Sequence, residues 1–101
     1  MRVPLASIPD GEAVGFEAPD GRPVLLARSA AGLFAAENRC PHAQQDFDGG
    51  RVKGALLFCP HHGMRFDLRD GRAIGTITNT PLIIYPVHIE GDEAVVALPP
   101  A

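Results

Sequence analysis

Short apolar or alternating runs, rather than helical stripes, make up most of the chain. No window of eleven or more residues keeps apolar side chains at the spacing of a helical face without an intervening glycine or proline. The dipeptides Asp20-Gly21, Asp70-Gly71 and Gly91-Asp92 stand between such runs and predict hairpin turns. The predicted strands are Ala13–Ala18, Pro23–Arg28, Leu33–Glu37, Ala55–Phe58, Arg65–Leu68, Arg72–Ile74, Leu82–Glu90 and Ala94–Leu98. This pattern predicts an all-β fold, either a small sandwich or an open barrel.

One segment interrupts the strand pattern. Residues 38–64 contain few strand runs, yet they hold both cysteines and three of the four histidines. A polar, threonine-rich connection, Gly75–Pro81, follows further on. We therefore expect a single domain over residues 1–101. Its base strands would lie in about 1–37 and 75–101, and a smaller lobe, about 38–74, would be inserted between them.

Length and charge narrow the class of protein. A chain of 101 residues fits one domain, and its modest core would be stabilised by a bound inorganic cofactor. The formal net charge of −3 argues against a nucleic-acid partner. The apolar run Leu82–Tyr85 is too short to span a membrane, and the N-terminus lacks the apolar stretch of a signal peptide. We expect a cytoplasmic protein without a membrane partner, whose thiols stay reduced.

Both cysteines belong to motifs that also contain histidine. These are Cys40-Pro41-His42 and Cys59-Pro60-His61-His62-Gly63. Thiolates and imidazoles are the ligands of zinc, copper and iron–sulfur centres. In extended chain, residues two apart point the same way, so Cys40 and His42 can face one site. The second motif can reverse within a tight turn and bring its thiol and imidazole together. The two motifs together predict a metal site.

The sequence resembles the Rieske-type 2Fe–2S proteins, in particular the small soluble ferredoxins of bacterial ring-hydroxylating oxygenase systems. Besides the two cysteine motifs, the resemblance includes Arg65-Phe66-Asp67, Asp70-Gly71 and the late Pro81-Leu82…Tyr85-Pro86-Val87 element. It implies a β base with an inserted lobe that binds one 2Fe–2S cluster. It also implies that Cys40 and Cys59 hold the inner iron, while His42 and His62 hold the outer iron.

The chain departs from the high-potential Rieske proteins at two pairs of positions. Those proteins carry an additional cysteine in each loop, where this chain has Gln45 and His61, so no disulfide can form beside the cluster. They also place a serine and a tyrosine hydroxyl against sulfur, where this chain has Met64 and Phe66. Fewer hydrogen bonds to sulfur stabilise the added electron less. We therefore expect a reduction potential near ~−150 mV rather than ~+300 mV.

The resemblance implies a one-electron carrier between a ferredoxin reductase and a terminal oxygenase, and we expect it to be a monomer. The chain would not itself be an enzyme, because residues 75–101 contain only one histidine and cannot build a separate mononuclear iron site. Two alternatives stay open at this point. One is a small Rieske-like subunit of a nitrite reductase, and the other is a structural zinc module.

Several other side chains have simpler interpretations. We expect His61 to lie beside the site without binding iron, and His88 to point outward from a strand. Phe47 and Met64 are predicted either to pack in the core or to form an apolar collar around the cluster. The remaining large apolar residues are predicted core: Phe16, Leu33, Phe34, Leu56, Leu57, Phe58, Ile83 and Val95.

Overall fold

The computed structural model describes residues 1–41, 45–60, 64–74 and 80–100. Within these ranges the chain forms strands and one short 3₁₀ helix, Leu5–Ser7. The strands are β1 (Arg2–Pro4), β2 (Ala13–Glu17), β3 (Pro23–Ser29), β4 (Gly32–Glu37), β5 (Arg51–Lys53), β6 (Leu56–Phe58), β7 (Arg65–Asp67), β8 (Ala73–Ile74), β9 (Ile84–Tyr85), β10 (Val87–Glu90) and β11 (Glu93–Val96). The all-β prediction is confirmed. None of these ranges contains a helix long and apolar enough to cross a membrane.

The strands form three antiparallel sheets that remain open. Their strand orders are β1-β11-β10, β2-β3-β4-β9 and β5-β6-β7-β8. All strands of the third sheet come from residues 51–74. This sheet meets the second along the edges of β2 and β5, where the Ala13 N–H donates to the Gly50 carbonyl at 3.2 Å. The Val52 N–H likewise donates to the Gly11 carbonyl at 3.1 Å.

Strand β3 separates two apolar clusters. Its four central residues, Val24–Ala27, are all buried, and successive side chains of a strand point to opposite faces. Leu25 and Ala27 therefore join a cluster with the third sheet, whereas Val24 and Leu26 join one with the first sheet. The first of these clusters also contains both cysteines. Strand β3 thus packs against the segment that carries the predicted metal site.

Most of the predicted strands are confirmed, with a few corrections. The run Leu82–Glu90 is not one strand, because Pro86 lacks an N–H for the ladder and separates β9 from β10 in different sheets. Strands β1 and β5 were not predicted, since each has three residues with one buried side chain. Ile83 was predicted core but is 56% exposed. His88 points outward from β10 as expected, with its Nε2 2.9 Å from Glu90 Oε2.

Candidate metal centre

The two cysteines lie at the ends of strands from different sheets. Cys40 follows β4 by three residues, and Cys59 directly follows β6. Both side chains are buried, they belong to the same apolar cluster, and neither takes part in a disulfide. The predicted ligands His42 and His62 lie outside the described residues, as does His61. Their assignments therefore stay predictions.

Both loops are closed in the same way at their base. The Cys40 N–H donates to the Gln45 carbonyl, and the Cys59 N–H donates to the Met64 carbonyl, each at 2.7 Å. Each bond joins a cysteine to the residue five positions later. Each cysteine is thereby held at the start of a closed loop that contains a histidine of its motif. The two cysteines are thus held by the same kind of backbone hydrogen bond.

Aromatic and thioether side chains surround the cysteines. Phe47, Met64 and Phe66 are buried in the cluster that contains both thiols. The rings of Phe47 and Phe66 pack edge to face, with centroids 5.8 Å apart and planes at 84°. For Phe47 and Met64 the structure confirms the packing interpretation. Neither Met64 nor Phe66 carries a hydroxyl that could donate to sulfur.

Asp67 is a buried carboxylate at the end of β7, where the turn towards β8 begins. Its Oδ1 accepts hydrogen bonds from the Arg69 N–H and Nε, both at 3.0 Å, and its Oδ2 accepts from Nη2 at 2.7 Å. These bonds to Arg69 lower the pKa of the Asp67 carboxyl to about 2. The pair fixes the turn between β7 and β8, at the end of β7 opposite the Cys59 loop. The sequence alone gave no signal that this aspartate is buried.

The chemistry of the donor set fits a cluster with mixed sulfur and nitrogen ligands. Two buried thiols outside any disulfide share one apolar environment, which suits thiolate binding to iron. Across the described ranges, no three His, Cys, Asp or Glu side chains are grouped to hold a metal ion. The large groove of about 910 Å³ along β2 and β5 is lined by neither cysteine.

Comparison with known families decides the class of the site. The sequence model of the Rieske [2Fe-2S] domain matches residues 3–86, most of the chain. The protein belongs to the Rieske [2Fe-2S] domain family. A domain of this family holds one Rieske-type 2Fe–2S cluster, which the two buried cysteines of this chain can accommodate. The predicted family, cofactor and fold class are therefore confirmed.

Two relatives are similar over nearly the whole Rieske chain. The 3-phenylpropionate/cinnamic acid dioxygenase ferredoxin subunit of Escherichia coli (strain K12) is 36% identical, over 97% of this chain and 92% of that protein. The ferredoxin of carbazole 1,9a-dioxygenase from Nocardioides aromaticivorans IC177 is 30% identical, with a TM-score of 0.83. That alignment covers 94% of this chain and 92% of the solved one. Ferredoxin components of dioxygenases thus share both sequence and fold with this chain.

Two further structures show the Rieske fold alone, at 22% identity and a TM-score of 0.85 each. One is the ferredoxin in a complex of reduced oxygenase and oxidized ferredoxin in carbazole 1,9a-dioxygenase, covering 96% of this chain and 100% of that one. The other is a putative NADH-dependent nitrite reductase small subunit from Mycobacterium tuberculosis, covering 100% and 97%. Their equal likeness means that fold does not separate a carrier from a nitrite reductase subunit. The dioxygenase ferredoxins at 36% and 30% identity favour the carrier.

Proposed function

We propose that this protein is the ferredoxin of a ring-hydroxylating oxygenase system, which takes one electron from a ferredoxin reductase and delivers it to a terminal oxygenase. The observation that carries the proposal is 36% identity, over 97% of the chain, to a dioxygenase ferredoxin subunit. The Rieske match indicates the cofactor that such a carrier needs, and the two buried cysteines can hold it. The protein acts as an electron-transfer component and not as a catalyst of substrate oxidation.

The ligand set that we propose is Cys40 and Cys59 on one iron, with His42 and His62 on the other. When bound, a Rieske cluster accepts and releases one electron at a time. The chain's own part is to hold the thiols at the base of two closed loops and to exclude water from them. Phe47, Met64 and Phe66 provide that apolar shield. Their lack of hydroxyl donors supports a potential near the low end of the Rieske range, ~−150 mV.

We place the cluster in an inserted lobe, residues 38–74, of a single domain whose base is formed by residues 1–37 and 75–101. The third sheet supports this division because all of its strands lie within residues 51–74. We propose that the carrier is a cytoplasmic monomer that meets its two partners transiently. The net charge of −3 favours partners with basic docking surfaces, since opposite charges speed encounter.

The first test is electron transfer with purified components. The holoprotein should show a Rieske-type EPR signal after reduction, and it should support electron flow from a ferredoxin reductase to a ring-hydroxylating oxygenase. A colourless protein with one equivalent of zinc would instead identify a structural zinc module. Stable co-purification with a large nitrite reductase polypeptide, without activity as a separate carrier, would favour the subunit. Voltammetry above about +100 mV would contradict the low-potential assignment.

The second test addresses the ligands one at a time. Each of Cys40→Ser, Cys59→Ser, His42→Ala and His62→Ala should abolish the Rieske EPR signal, whereas His61→Ala should keep it. His61 is the matched control because it adjoins His62 in the same motif. Loss of the signal in His61→Ala with retention in His62→Ala would show that the second imidazole ligand had been assigned to the wrong histidine.

A further inference from the structure

Asn38 is a buried polar residue at the point where β4 ends and the Cys40 loop begins. Its side-chain Oδ1 accepts a buried hydrogen bond from the Phe47 N–H at 2.8 Å. Its Nδ2 donates to Asp48 Oδ1 at 3.3 Å. Its own N–H donates to the Pro23 carbonyl on β3 at 3.1 Å. One side chain therefore joins the start of the loop to its end, nine residues later, while its backbone is anchored to the central strand.

Strand β2 is shaped to make room for this arrangement. A Cβ atom at Gly15 would collide with the Asp48 carboxylate and with the Asn38 side-chain amide. The backbone of Gly15 pairs with Leu25 of β3, so the strand cannot easily move aside. The absence of a side chain at Gly15 thus lets the Asn38 and Asp48 side chains meet across the strand. We call Gly15, Asn38 and Asp48 together the Asn38 clamp.

The clamp acts on the segment that presents the first pair of predicted ligands. Cys40 and His42 both lie between Asn38 and Phe47. Within that segment the Cys40 N–H is bonded to the Gln45 carbonyl, which closes a smaller ring inside the larger one. At the far end, the ring of Phe47 packs against Phe66. A displacement of Phe47 would therefore change both the course of the loop and the apolar wall near the thiols.

We propose that Asn38 is a positioning residue for electron transfer, which keeps the Cys40 loop in one conformation in both oxidation states. This role rests on the proposed function, since it concerns the geometry of the loop around a bound cluster. A loop that does not rearrange when charge is added keeps the reacting geometry preorganised. A buried amide that satisfies two partners at fixed positions is suited to that task, because losing either bond leaves a polar group unpaired.

The test compares Asn38→Leu with a double variant that exchanges the two polar groups. Leucine has a similar volume but neither accepts from Phe47 nor donates to Asp48. In Asn38→Asp with Asp48→Asn, a carboxylate oxygen can accept from the Phe47 N–H and the new amide can donate back, at unchanged net charge. Val96→Ala, in the other apolar cluster, is the stability control because it removes core volume without touching the loop.

The readouts are hydrogen exchange at the Phe47 amide, the rate at which the purified holoprotein loses its visible absorbance, and the width of its EPR signal. In Asn38→Leu we expect Phe47 exchange to quicken about tenfold, as expected when a buried hydrogen bond is lost. We also expect faster bleaching and a broadened signal. The double variant should restore all three towards wild type. Val96→Ala should lower the melting temperature without broadening the signal.

Three outcomes would overturn the positioning role. The first is an unchanged Phe47 exchange rate in Asn38→Leu. The second is a broadened EPR signal and faster bleaching in Val96→Ala, to the extent expected from its lower melting temperature. The third is a double variant that behaves like Asn38→Leu. If Asn38→Leu does not fold, Asn38→Asp alone replaces it: this variant keeps an acceptor for the Phe47 N–H but sets two carboxylates against each other. Its EPR signal should then be broadened and its bleaching faster, and the double variant should restore both; wild-type values in Asn38→Asp would overturn the role. A wild-type protein without any cluster would instead overturn the proposed function, and the exchange measurement would still test the clamp.

Discussion

Phe66 shows how a single atom could set the potential of the cluster. The residue is fully buried on β7 opposite Leu57, within the cluster that contains both thiols. By the resemblance to high-potential Rieske proteins, a tyrosine here would place its hydroxyl against sulfur and stabilise the added electron. Phe66→Tyr should raise the potential measured by voltammetry by roughly 40 mV, which corresponds to a net hydrogen bond of roughly 1 kcal/mol.

The control for this substitution is Phe16→Tyr, the same change in a residue that packs against the other apolar cluster. It should leave the potential at the wild-type value. An equal shift in both variants, or a lowered potential in Phe66→Tyr, would show that the hydroxyl does not act through sulfur.

Asp67 should make stability depend on acid pH. Its bonds to Arg69 lower the pKa of the folded carboxyl to about 2, from an ordinary value of 3.8. A group whose pKa is depressed in the folded state stabilises that state above its unfolded pKa. The contribution is therefore complete above pH ~4 and is lost as pH falls towards ~2. Asp67→Asn removes it, so the stability difference from wild type should shrink over that range.

Chemical denaturation at a series of pH values measures this difference. Asp92→Asn is the control, since Asp92 lies exposed in the turn between β10 and β11. A difference between wild type and Asp67→Asn that stays constant from pH 5 to pH 2 would contradict the assignment of the ion pair.

At the scale of elements, the turn between β7 and β8 is held to the irregular segment that leads into β9. Gly71 has a φ of 84°, and a Cβ there would collide with the Leu82 carbonyl oxygen. The Leu82 N–H also donates to the Gly71 carbonyl at 2.8 Å. Gly71→Ala should therefore lower the free energy of unfolding by about 3 kcal/mol or more, from backbone strain together with overpacking.

Gly91→Ala separates these two contributions. Gly91 also has a positive φ, 61°, but a Cβ there meets no atom within 4 Å. Gly91→Ala should lower the free energy of unfolding only by the backbone strain, about 1–2 kcal/mol. Thermal unfolding of the two variants measures the difference, and equal losses would show that the approach of Leu82 is not restrictive.

The elements that the sequence predicted are those with a strong local signal. Asp20-Gly21 and Gly91-Asp92 mark hairpins because glycine there adopts a positive φ, at 88° and 61°. Strand β5 was not predicted because its length of three residues gives alternation too little span, and it is formed by pairing with β6. The division at Pro86 follows from the missing N–H, yet only the tertiary structure shows that β9 and β10 enter different sheets.

The site was predictable to a different degree. Cys40 and Cys59 were predicted as ligands from the motifs, and the structure shows that both are buried in one apolar cluster; their binding of iron stays a prediction. Asn38 and Asp67 were missed as buried groups, since Asn and Asp commonly mark exposed turns and nothing local distinguishes a buried one. The core prediction for Ile83 was wrong: an aliphatic side chain in an apolar run is normally buried, but this one is exposed. The exposed Ile83 side chain adds apolar surface beside the Cys40 loop.

At the scale of the whole molecule, two exposed isoleucines lie on different parts of the surface, one beside the Cys40 loop and one on β10. Ile83 is 56% exposed and lines a groove with Pro41, the residue after Cys40. The Glu37 N–H donates to the Ile83 carbonyl at 2.9 Å and fixes that position. Ile89 is 54% exposed on β10, in a sheet none of whose strands leads into a cysteine loop. An oxygenase that approaches the proposed cluster closely would cover the groove beside Pro41 and leave β10 in water.

Ile83→Ser should therefore raise the KM for the ferredoxin in oxygenase turnover about three- to tenfold, the effect of removing one buried apolar contact from an interface. The turnover number at saturation and the potential should not change, because the loops themselves are intact. Ile89→Ser, which is nearly equal in exposure and in the atoms removed, should leave KM at the wild-type value. Since the lost contact is apolar, the KM ratio should persist as salt is raised, whereas loss of a charge contact would be masked. A similar rise in KM for both variants would place the docking face elsewhere on the molecule.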